Sequence, residues 1–184
     1  MANTIDGTEV LLNGEPIPLY LVSPGQINFQ IPTDFPLGQA TLQVKQGDRL
    51  SAAITIDVQA TAPGIFLIGE NRGAIQNQDF SLHTAQNPAK AGQVLIVYMT
   101  GLGEKDTLVP SGEESPQALV RAVADVTATI GGMDAPVGFA GLTPGFVGLE
   151  QVNLTIPDLP PGEYPLVITA GGAASNMVLV NIAE

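Results

Sequence analysis

Hydrophobic and polar residues alternate strictly in the segment QINFQIP at residues 26–32. Ile27, Phe29 and Ile31 occupy every second position, and polar residues stand between them. Because successive side chains of a β-strand point to opposite faces, this alternation predicts a strand with one buried face and one polar face. Pro32 has no amide hydrogen to donate to a sheet, so we expect the strand to end there.

The segment QVNLTIP at 151–157 repeats this pattern almost residue for residue. The similarity extends outwards, since VLLNGEPIP at 10–18 is matched by TATIGGMDAP at 127–136. It continues downstream, where the strand, glycine turn and strand of 36–56 are matched by those of 160–180. The dipeptides Asn-Gly at 13–14 and Gly-Gly at 131–132 supply the backbone angles of hairpin turns. The repeat predicts that the chain arose by internal duplication.

We predict an all-β protein made of two immunoglobulin-like β-sandwich units in tandem, related by internal duplication. Short apolar runs alternate with turn residues, and 21 Gly and 15 Pro in 184 residues fall below the share that is typical of disordered chains. The first unit is assigned to residues 1–60 and the second to 61–184. The apolar segment GQVLIVYMTGLG at 92–103 is predicted to be a buried strand, and SPQALVRAVAD at 115–125 has the one helical pattern.

The charge of the chain and the length of its apolar runs argue against nucleic acid as a partner and against insertion into a membrane. Eighteen acidic residues against six basic ones give a net charge of −12 and a pI near 4.1. Such a surface repels phosphate backbones and anionic lipids, so we expect no nucleic acid partner. The longest apolar run, within 92–103, is too short to cross a bilayer, so we expect no membrane insertion either.

Acidic residues cluster in the segment EKDTLVPSGEESP at 104–116. Carboxylates are the ligands that calcium prefers, but the D-x-D-x-D-G spacing of a specific calcium loop is missing, and a solvated loop is the favoured interpretation. One His and no Cys cannot supply a structural zinc site. We therefore expect no metal and no cofactor. The four acidic residues concerned are Glu104, Asp106, Glu113 and Glu114.

No motif points to catalysis. His83 is the single histidine and lies in a predicted hairpin at 73–84, away from any nucleophile or phosphate-binding motif, so we interpret it as a turn or surface residue. An internal Lys–Asn amide crosslink would need a buried lysine beside an acid. Lys45, Lys90 and Lys105 all stand in polar, turn-like contexts, so no such crosslink is predicted. The chain is expected not to be an enzyme.

A carbohydrate-binding role would depend on exposed aromatic side chains, and the chain has no Trp and three Tyr. Tyr98 lies in an apolar run and is expected in the core. The second copy of the repeat carries an inserted segment, TPGFVGL at 143–149. One alternative is thus that the chain is a polysaccharide-binding module that uses the 139–149 loop. The other interpretation is that the phenylalanines of this loop close the end of the core. The candidate contact residues are Phe139, Phe146, Tyr20 and Tyr164.

Four stretches of the chain resemble a known family: VSPGQINFQIP, ATAPGIF, NPAKAGQVLIVYMTGLG and GFVGLEQVNLTIPDLPPGEYPLVITAGGAASN. They resemble the uncharacterised Solibacter-type C-terminal domain family, and the resemblance covers almost the whole chain. It implies immunoglobulin-like modules of exported bacterial proteins and an extracellular or cell-surface location. It implies no catalytic or ligand-binding residues. No signal peptide opens the chain, so the location follows from the resemblance alone.

Members of this family carry a strand before the first unit, of the kind that GQVLIVYMTG supplies before the second, whereas here MANTIDG alone precedes Thr8. We expect the first unit to lack its first strand, either as a fragment boundary or as an open edge that accepts a strand. The predicted function is a non-enzymatic structural or adhesive module of an exported bacterial protein. The alternatives are the polysaccharide-binding module and a strand-accepting subunit of an extracellular assembly. The expected partners are neighbouring domains, a second copy paired by edge strands, or a polysaccharide.

Overall fold

The computed structural model describes residues 1–184, and it contains strands, turns and bends but no helix. The prediction of an all-β sandwich protein is confirmed. The prediction of a helix at 115–125 is wrong, because part of this segment is extended and lies beside another strand. There the N–H of Ala122 donates to the carbonyl of Ala140 at 2.9 Å, and the N–H of Leu142 donates to that of Val120 at 2.9 Å. No helix is present that could cross a membrane.

The chain divides into two compact units, each built from separate stretches. The first unit consists of Met1–Ala60, Leu108–Ser115 and Gly145–Gly148, and the second of Thr61–Thr107, Pro116–Pro144 and Leu149–Glu184. The sequence-based division after residue 60 assigns both short segments to the second unit, whereas they pack with the first.

The first unit contains a five-stranded sheet and a separate two-stranded hairpin. In the sheet, β1 pairs with β2 and β5, and β5 pairs with β6 and β7; the hairpin consists of β3 and β4. The buried apolar core is small, with Val10, Leu12, Ile17, Leu19 and Ala40. The strands are β1 (Thr8–Leu12), β2 (Glu15–Pro16), β3 (Leu19–Ser23), β4 (Gln26–Phe29), β5 (Gly38–Gln46), β6 (Arg49–Leu50) and β7 (Ile54–Val58).

The second unit has more strands. They are β8 (Gly64–Ile65), β9 (Leu67–Gly69), β10 (Arg72–Gly73), β11 (Ile75–Asn77), β12 (Ala89–Lys90), β13 (Val94–Thr100), β14 (Val126–Ile130), β15 (Met133–Asp134), β16 (Val137–Leu142), β17 (Glu150–Thr155), β18 (Gly162–Ala170), β19 (Ala173–Ala174) and β20 (Val178–Ala183). One sheet has the order β11-β13-β17-β16, and the other has the order β12-β20-β18-β14-β15. Strand β8 pairs with β13, β19 pairs with β18, and β9 and β10 form a hairpin.

The core of the second unit lies between its two main sheets and is much larger than that of the first. It contains nineteen buried apolar residues, from strands of both sheets. Leu95, Val97 and Met99 of β13 are completely buried there. The prediction of a buried strand within 92–103 is therefore confirmed. A core of this size means that the second unit carries most of the buried apolar surface of the protein.

The strand registers of the two units correspond along the sequence repeat. Leu12 of β1 pairs with Leu42 of β5, and at the repeat-related positions Ile130 of β14 pairs with Leu166 of β18. The pairs of β5 with β7 and of β18 with β20 also match position by position. The sequence alignment of the repeat is thus also an alignment of backbone pairing. Descent of both units from one ancestral unit stays a prediction.

Candidate interaction surface on the first unit

Strand β4 is related by the repeat to β17, but the two strands have different numbers of neighbours. β17 lies between β16 and β13, and its pairing with β13 runs from Glu150 opposite Met99 to Thr155 opposite Val94. β4 pairs with β3 alone. One edge of β4 therefore has no strand beside it.

Hydrogen bonds identify which backbone groups face this open edge. The N–H of Gln30 donates to the carbonyl of Pro18 at 2.9 Å, so it faces the β3 side. Because backbone groups of an extended chain alternate in direction, those of the next residue, Ile31, face the open edge. The repeat-related residue of the second unit is Ile156, whose N–H donates to the carbonyl of Gln93, just before β13, at 2.9 Å.

Apolar side chains beside the open edge are exposed where their repeat-related residues are buried. Phe29 is 36% exposed and Leu154 is 0% exposed. Ile31 is 37% exposed and Ile156 is 2% exposed. In the second unit β13 lies on this side of the sheet, and in the first unit no strand takes its place.

An apolar residue of strand β7 is exposed in the same way. Ile54 of β7 is exposed, whereas Val178, at the repeat-related position of β20, is completely buried. In the second unit Val178 belongs to the same core as Leu95 and Val97 of β13. We call Phe29, Ile31 and Ile54 the uncovered face.

The polar face of the repeated strand has the same side-chain arrangement in both copies. The amide of Gln26 donates to Asn28 Oδ1 at 2.7 Å, and the amide of Gln151 donates to Asn153 Oδ1 at 3.1 Å. Residues two apart on a strand share one face, which brings these side chains together. The two copies of the repeat therefore share a side-chain hydrogen bond on the polar face as well as the same backbone pairing.

A segment from later in the chain packs against the end of the β3–β4 hairpin. The N–H of Gly112 donates to Gln30 Oε1 at 2.7 Å, and the N–H of Thr33 donates to Ser111 Oγ at 2.9 Å. The segment 104–116 contains no strand and its four acidic residues are exposed, as expected of a solvated loop. Its part from Leu108 to Ser115 belongs to the first unit. It pairs with none of the strand residues of β4.

Phe139 and Phe146 lie in different environments. Phe139 is 6% exposed within β16, and the guanidinium carbon of Arg121 lies 5.2 Å from the centre of its ring. It therefore cannot act as an exposed platform, and the predicted 139–149 loop is in part a strand. Phe146 is 48% exposed, and its carbonyl accepts the N–H of Ser115 at 2.9 Å within the first unit.

The two candidate tyrosines also differ. Tyr20 is 59% exposed and lies at the point where the β3–β4 register shifts by one residue. Its repeat-related position is Gly138, where the β16–β17 register shifts in the same way. Tyr164 is half-buried, and its hydroxyl donates to the carbonyl of Pro160 at 3.1 Å. Tyr20 and Phe146 belong to the first unit and the other two candidates to the second, so neither unit carries all four residues.

Lys105 forms a buried ion pair that the sequence did not predict. Its Nζ lies 2.6 Å from Glu150 Oε1, and both side chains are largely buried in the second unit. The N–H of Leu102 donates to Glu150 Oε2 at 2.8 Å, and Lys105 also donates to the carbonyl of Gly103. Burial raises the pKa of Glu150, and the Lys105 ammonium opposes that rise. The backbone around Lys105 is irregular, as predicted, but the expectation that no lysine is buried beside an acid is wrong.

His83 is buried rather than exposed, so its interpretation as a turn or surface residue is wrong. The N–H of Asn181 donates to His83 Nε2 at 2.9 Å, which makes Nε2 an acceptor. The proton of the neutral ring is then on Nδ1, which lies 2.8 Å from Asn77 Oδ1. Burial lowers the pKa of His83. The adjacent cavity, of about 50 Å³, has room for a water molecule but not for a substrate.

The acidic residues of the chain do not converge on one point. No group of three or more His, Asp or Glu side chains is arranged to hold a metal ion. In the segment interpreted as a loop, Asp106 Oδ1 accepts the N–H of Arg121 at 3.0 Å. This carboxylate therefore orders the backbone of a neighbouring segment.

No protein-family model matches the sequence, and no curated protein matches it. Among solved structures, the chain is similar to domains 4 and 5 of the S-layer protein SbsC, with 18% sequence identity and a TM-score of 0.26. The match covers 100% of this chain and 75% of that one. A TM-score this low supports no functional argument, and the resemblance to the Solibacter-type family stays a prediction.

Proposed function

We propose that the protein is a non-enzymatic structural module of an extracellular or cell-surface protein, and that the uncovered face of its first unit is an interaction surface for an extended polypeptide segment. The observation that supports this is the difference between β4 and β17. β4 has one neighbouring strand where β17 has two, and apolar residues beside it are exposed where the repeat-related ones are buried. The extracellular location rests on the family resemblance.

The composition of β4 favours binding over protection. Sheet proteins usually shield an open edge with lysine, proline, a bulge turned outwards or a covering loop. The four residues of β4, Gln26–Phe29, include no charged residue and no proline. Covering exposed apolar surface contributes about 25 cal/mol per Å². An unshielded edge beside exposed apolar side chains is a surface at which β-proteins join other chains.

The test is the molar mass of the full chain by light scattering over a hundredfold range of concentration. Without its partner, a protein with this surface is expected to self-associate as concentration rises, above the monomer mass of 19.0 kDa. Phe29→Lys places an inward-pointing charge on the edge and should restore the monomer. Leu37→Lys is the matched control, because Leu37 is exposed in the same unit but lies outside the uncovered face.

Self-association that Phe29→Lys abolishes and Leu37→Lys leaves intact would support the proposal. A monomer at every concentration, or self-association that survives Phe29→Lys in a folded variant, would contradict it. Circular dichroism of each variant establishes that the sheet content is unchanged.

A further inference from the structure

We infer that Lys105 and Glu150 are the site of an internal amide crosslink, formed between Lys105 Nζ and Glu150 Cδ with loss of one water. Nζ lies 2.6 Å from Glu150 Oε1, and both side chains are largely buried in the second unit. The polar sequence context of the lysines predicted no amide crosslink, and this buried pair is the observation that changes the prediction. The inference goes beyond the proposed function and does not depend on the uncovered face.

The two reacting groups are already close to the separation at which attack begins. Since a C–O bond of this kind is about 1.2 Å long, Nζ is no more than about 3.8 Å from Glu150 Cδ. Reacting atoms in a productive arrangement are about 3–3.5 Å apart, so a small movement is sufficient. Groups held in this way react with effective molarities of roughly 10⁵–10⁸ M, which offsets the unfavourable equilibrium of amide formation in water.

Backbone groups hold both reactants in place. The N–H of Leu102 donates to Glu150 Oε2 at 2.8 Å, and Lys105 Nζ donates to the carbonyl of Gly103. Oε2 is the oxygen that carries negative charge once the nitrogen has attacked, and a donor placed on such an oxygen stabilises the intermediate. The same two contacts suit the product, because its C=O would accept from Leu102 and its N–H would donate to Gly103.

The step needs no other reactant. One proton passes from the Lys105 ammonium to Glu150 Oε1, which leaves a neutral amine and a carboxylic acid. The lone pair of the amine forms the Nζ–Cδ bond, and the C=O electron pair moves to Oε2. A second proton then passes from the nitrogen to Oε1, the C=O bond to Oε2 forms again, and Oε1 leaves as water. The nitrogen keeps one hydrogen, so atoms and charges balance.

The surroundings of the pair favour the neutral reactants and the neutral product. Burial raises the pKa of Glu150, which favours the carboxylic acid, although the Lys105 ammonium opposes this rise. Two buried charges are costly to desolvate even when they are paired. The amide removes both charges and keeps a hydrogen-bond partner for each of its polar groups.

The fold itself does not require an acid at position 150. Glu150 begins β17, and the repeat-related residue of the first unit is Gly25, which directly precedes β4. The β3–β4 hairpin therefore forms with glycine at this position. Strand pairing alone does not explain why a charged pair is buried here, and a reaction between its two members does.

The test is the intact mass of the full chain by mass spectrometry, followed by digestion with trypsin. The crosslinked chain is lighter than its sequence by the mass of one water. Trypsin cleaves after free lysine and arginine, so the C-terminal half of the chain without the crosslink gives the peptides 91–105, 106–121 and 122–184. The amide blocks cleavage after Lys105 and joins peptide 91–121 to the peptide that contains Glu150.

The ion pair of Lys45 with Glu9 is the matched control within the same chain. Lys45 Nζ lies 3.1 Å from Glu9 Oε2, but the two side chains are 43% and 25% exposed, so water solvates both groups. Cleavage after Lys45 should therefore remain complete. Lys105→Arg keeps the positive charge without the primary amine, and this variant should retain its full mass and be cleaved after position 105.

We expect the linked peptide in most chains once the protein has been stored until its mass no longer changes. A chain that keeps its full mass, a loss of water located at another residue, or the same loss in Lys105→Arg would each overturn the inference. A link at Lys45 would show that proximity alone is sufficient and would overturn the role of burial. None of these outcomes affects the self-association that tests the proposed function, so the two can fail independently.

Discussion

Gly101 and Ala62 are in direct backbone contact within the second unit. The N–H of Ala62 donates to the carbonyl of Gly101 at 2.9 Å. A Cβ atom added to Gly101 would lie 1.9 Å from the carbonyl oxygen of Ala62, far closer than two such atoms can approach. The segment that precedes β8 therefore packs against the end of β13 only because residue 101 has no side chain.

Gly101→Ala should destabilise the second unit more than Gly132→Ala. Both glycines have positive φ, +84° and +81°, so both variants incur a backbone cost of roughly 1–2 kcal/mol. A Cβ on Gly132 meets nothing within 4 Å, so the clash with Ala62 is specific to Gly101 and should add about 1–3 kcal/mol or more. Urea unfolding measures the difference, and equal losses in the two variants would refute the close contact.

Lys105→Ala should cost far more stability than Lys45→Ala. Removing Lys105 leaves the buried carboxylate of Glu150 without its cation, which typically costs about 3–5 kcal/mol. Lys45 pairs with Glu9 at 3.1 Å on the surface of the first unit, and loss of such a pair costs less than about 1 kcal/mol. The unfolding transition of the unit that carries each substitution is compared at pH 7. Similar losses would mean that Glu150 is not held in a buried ion pair.

The stability of the second unit should fall as the pH is lowered through the ordinary pKa of histidine, about 6.5. Burial lowers the pKa of His83 in the folded state, so the unfolded chain binds the proton more readily. The stabilisation from the neutral ring is complete above about pH 6.5 and is lost progressively as the pH falls towards the folded-state pKa. His83→Gln should reduce this slope.

Urea midpoints of the unmodified chain and His83→Gln at pH 7.5, 6.5 and 5.5 give that comparison. His83 is the single histidine, so the difference between the two slopes reports on this residue alone. Glu150, whose pKa is raised by burial, is present in both proteins and contributes equally to both slopes. Identical slopes would show that His83 titrates alike in the folded and unfolded states.

Phe139→Ala and Phe146→Ala should separate a core residue from a surface one. Phe139 is buried in β16, and truncation of a buried phenylalanine costs about 3–5 kcal/mol. Phe146 is almost half exposed, and its truncation should cost under about 1 kcal/mol. Chemical unfolding measures both. A large loss for Phe146→Ala would mean that its side chain supports the packing of the first unit more than its exposure indicates.

Alternation and repetition were sufficient to predict the strands that matter most. The pattern of 26–32 and 151–157 predicted β4 and β17, and the repeat alignment agrees with the pairing register of both units. The buried face predicted for 26–32 is wrong at Phe29 and Ile31, which are exposed because no strand covers them. These features are local, because the period of two is a property of the extended backbone itself. The apolar run at 92–103 likewise predicted β13.

Phe139 shows where local pattern fails. The register shift between Val137 and Phe139 inserts an extra residue, Gly138, into the strand. A bulge of this kind changes which residues face the core after it, and alternation in the sequence does not reveal where it occurs. The burial of Phe139 could therefore not be derived from its spacing.

Polar residues were misjudged for another reason. His83 is buried because its ring accepts the N–H of Asn181, and Lys105 is buried because it meets Glu150. In both pairs the partner is distant in sequence, and no sequence motif predicts the contact. A buried polar residue is tolerated only when a partner satisfies it, and that partner is known only from the fold.

The first unit includes a segment that is synthesised late. Its last stretch, Gly145–Gly148, follows most of the second unit in the chain. A chain emerging from the ribosome N-terminus first usually completes its leading domain first. Here the leading unit is not complete until Gly148 has emerged, so a gene shortened to encode residues 1–60 would encode an unfinished unit.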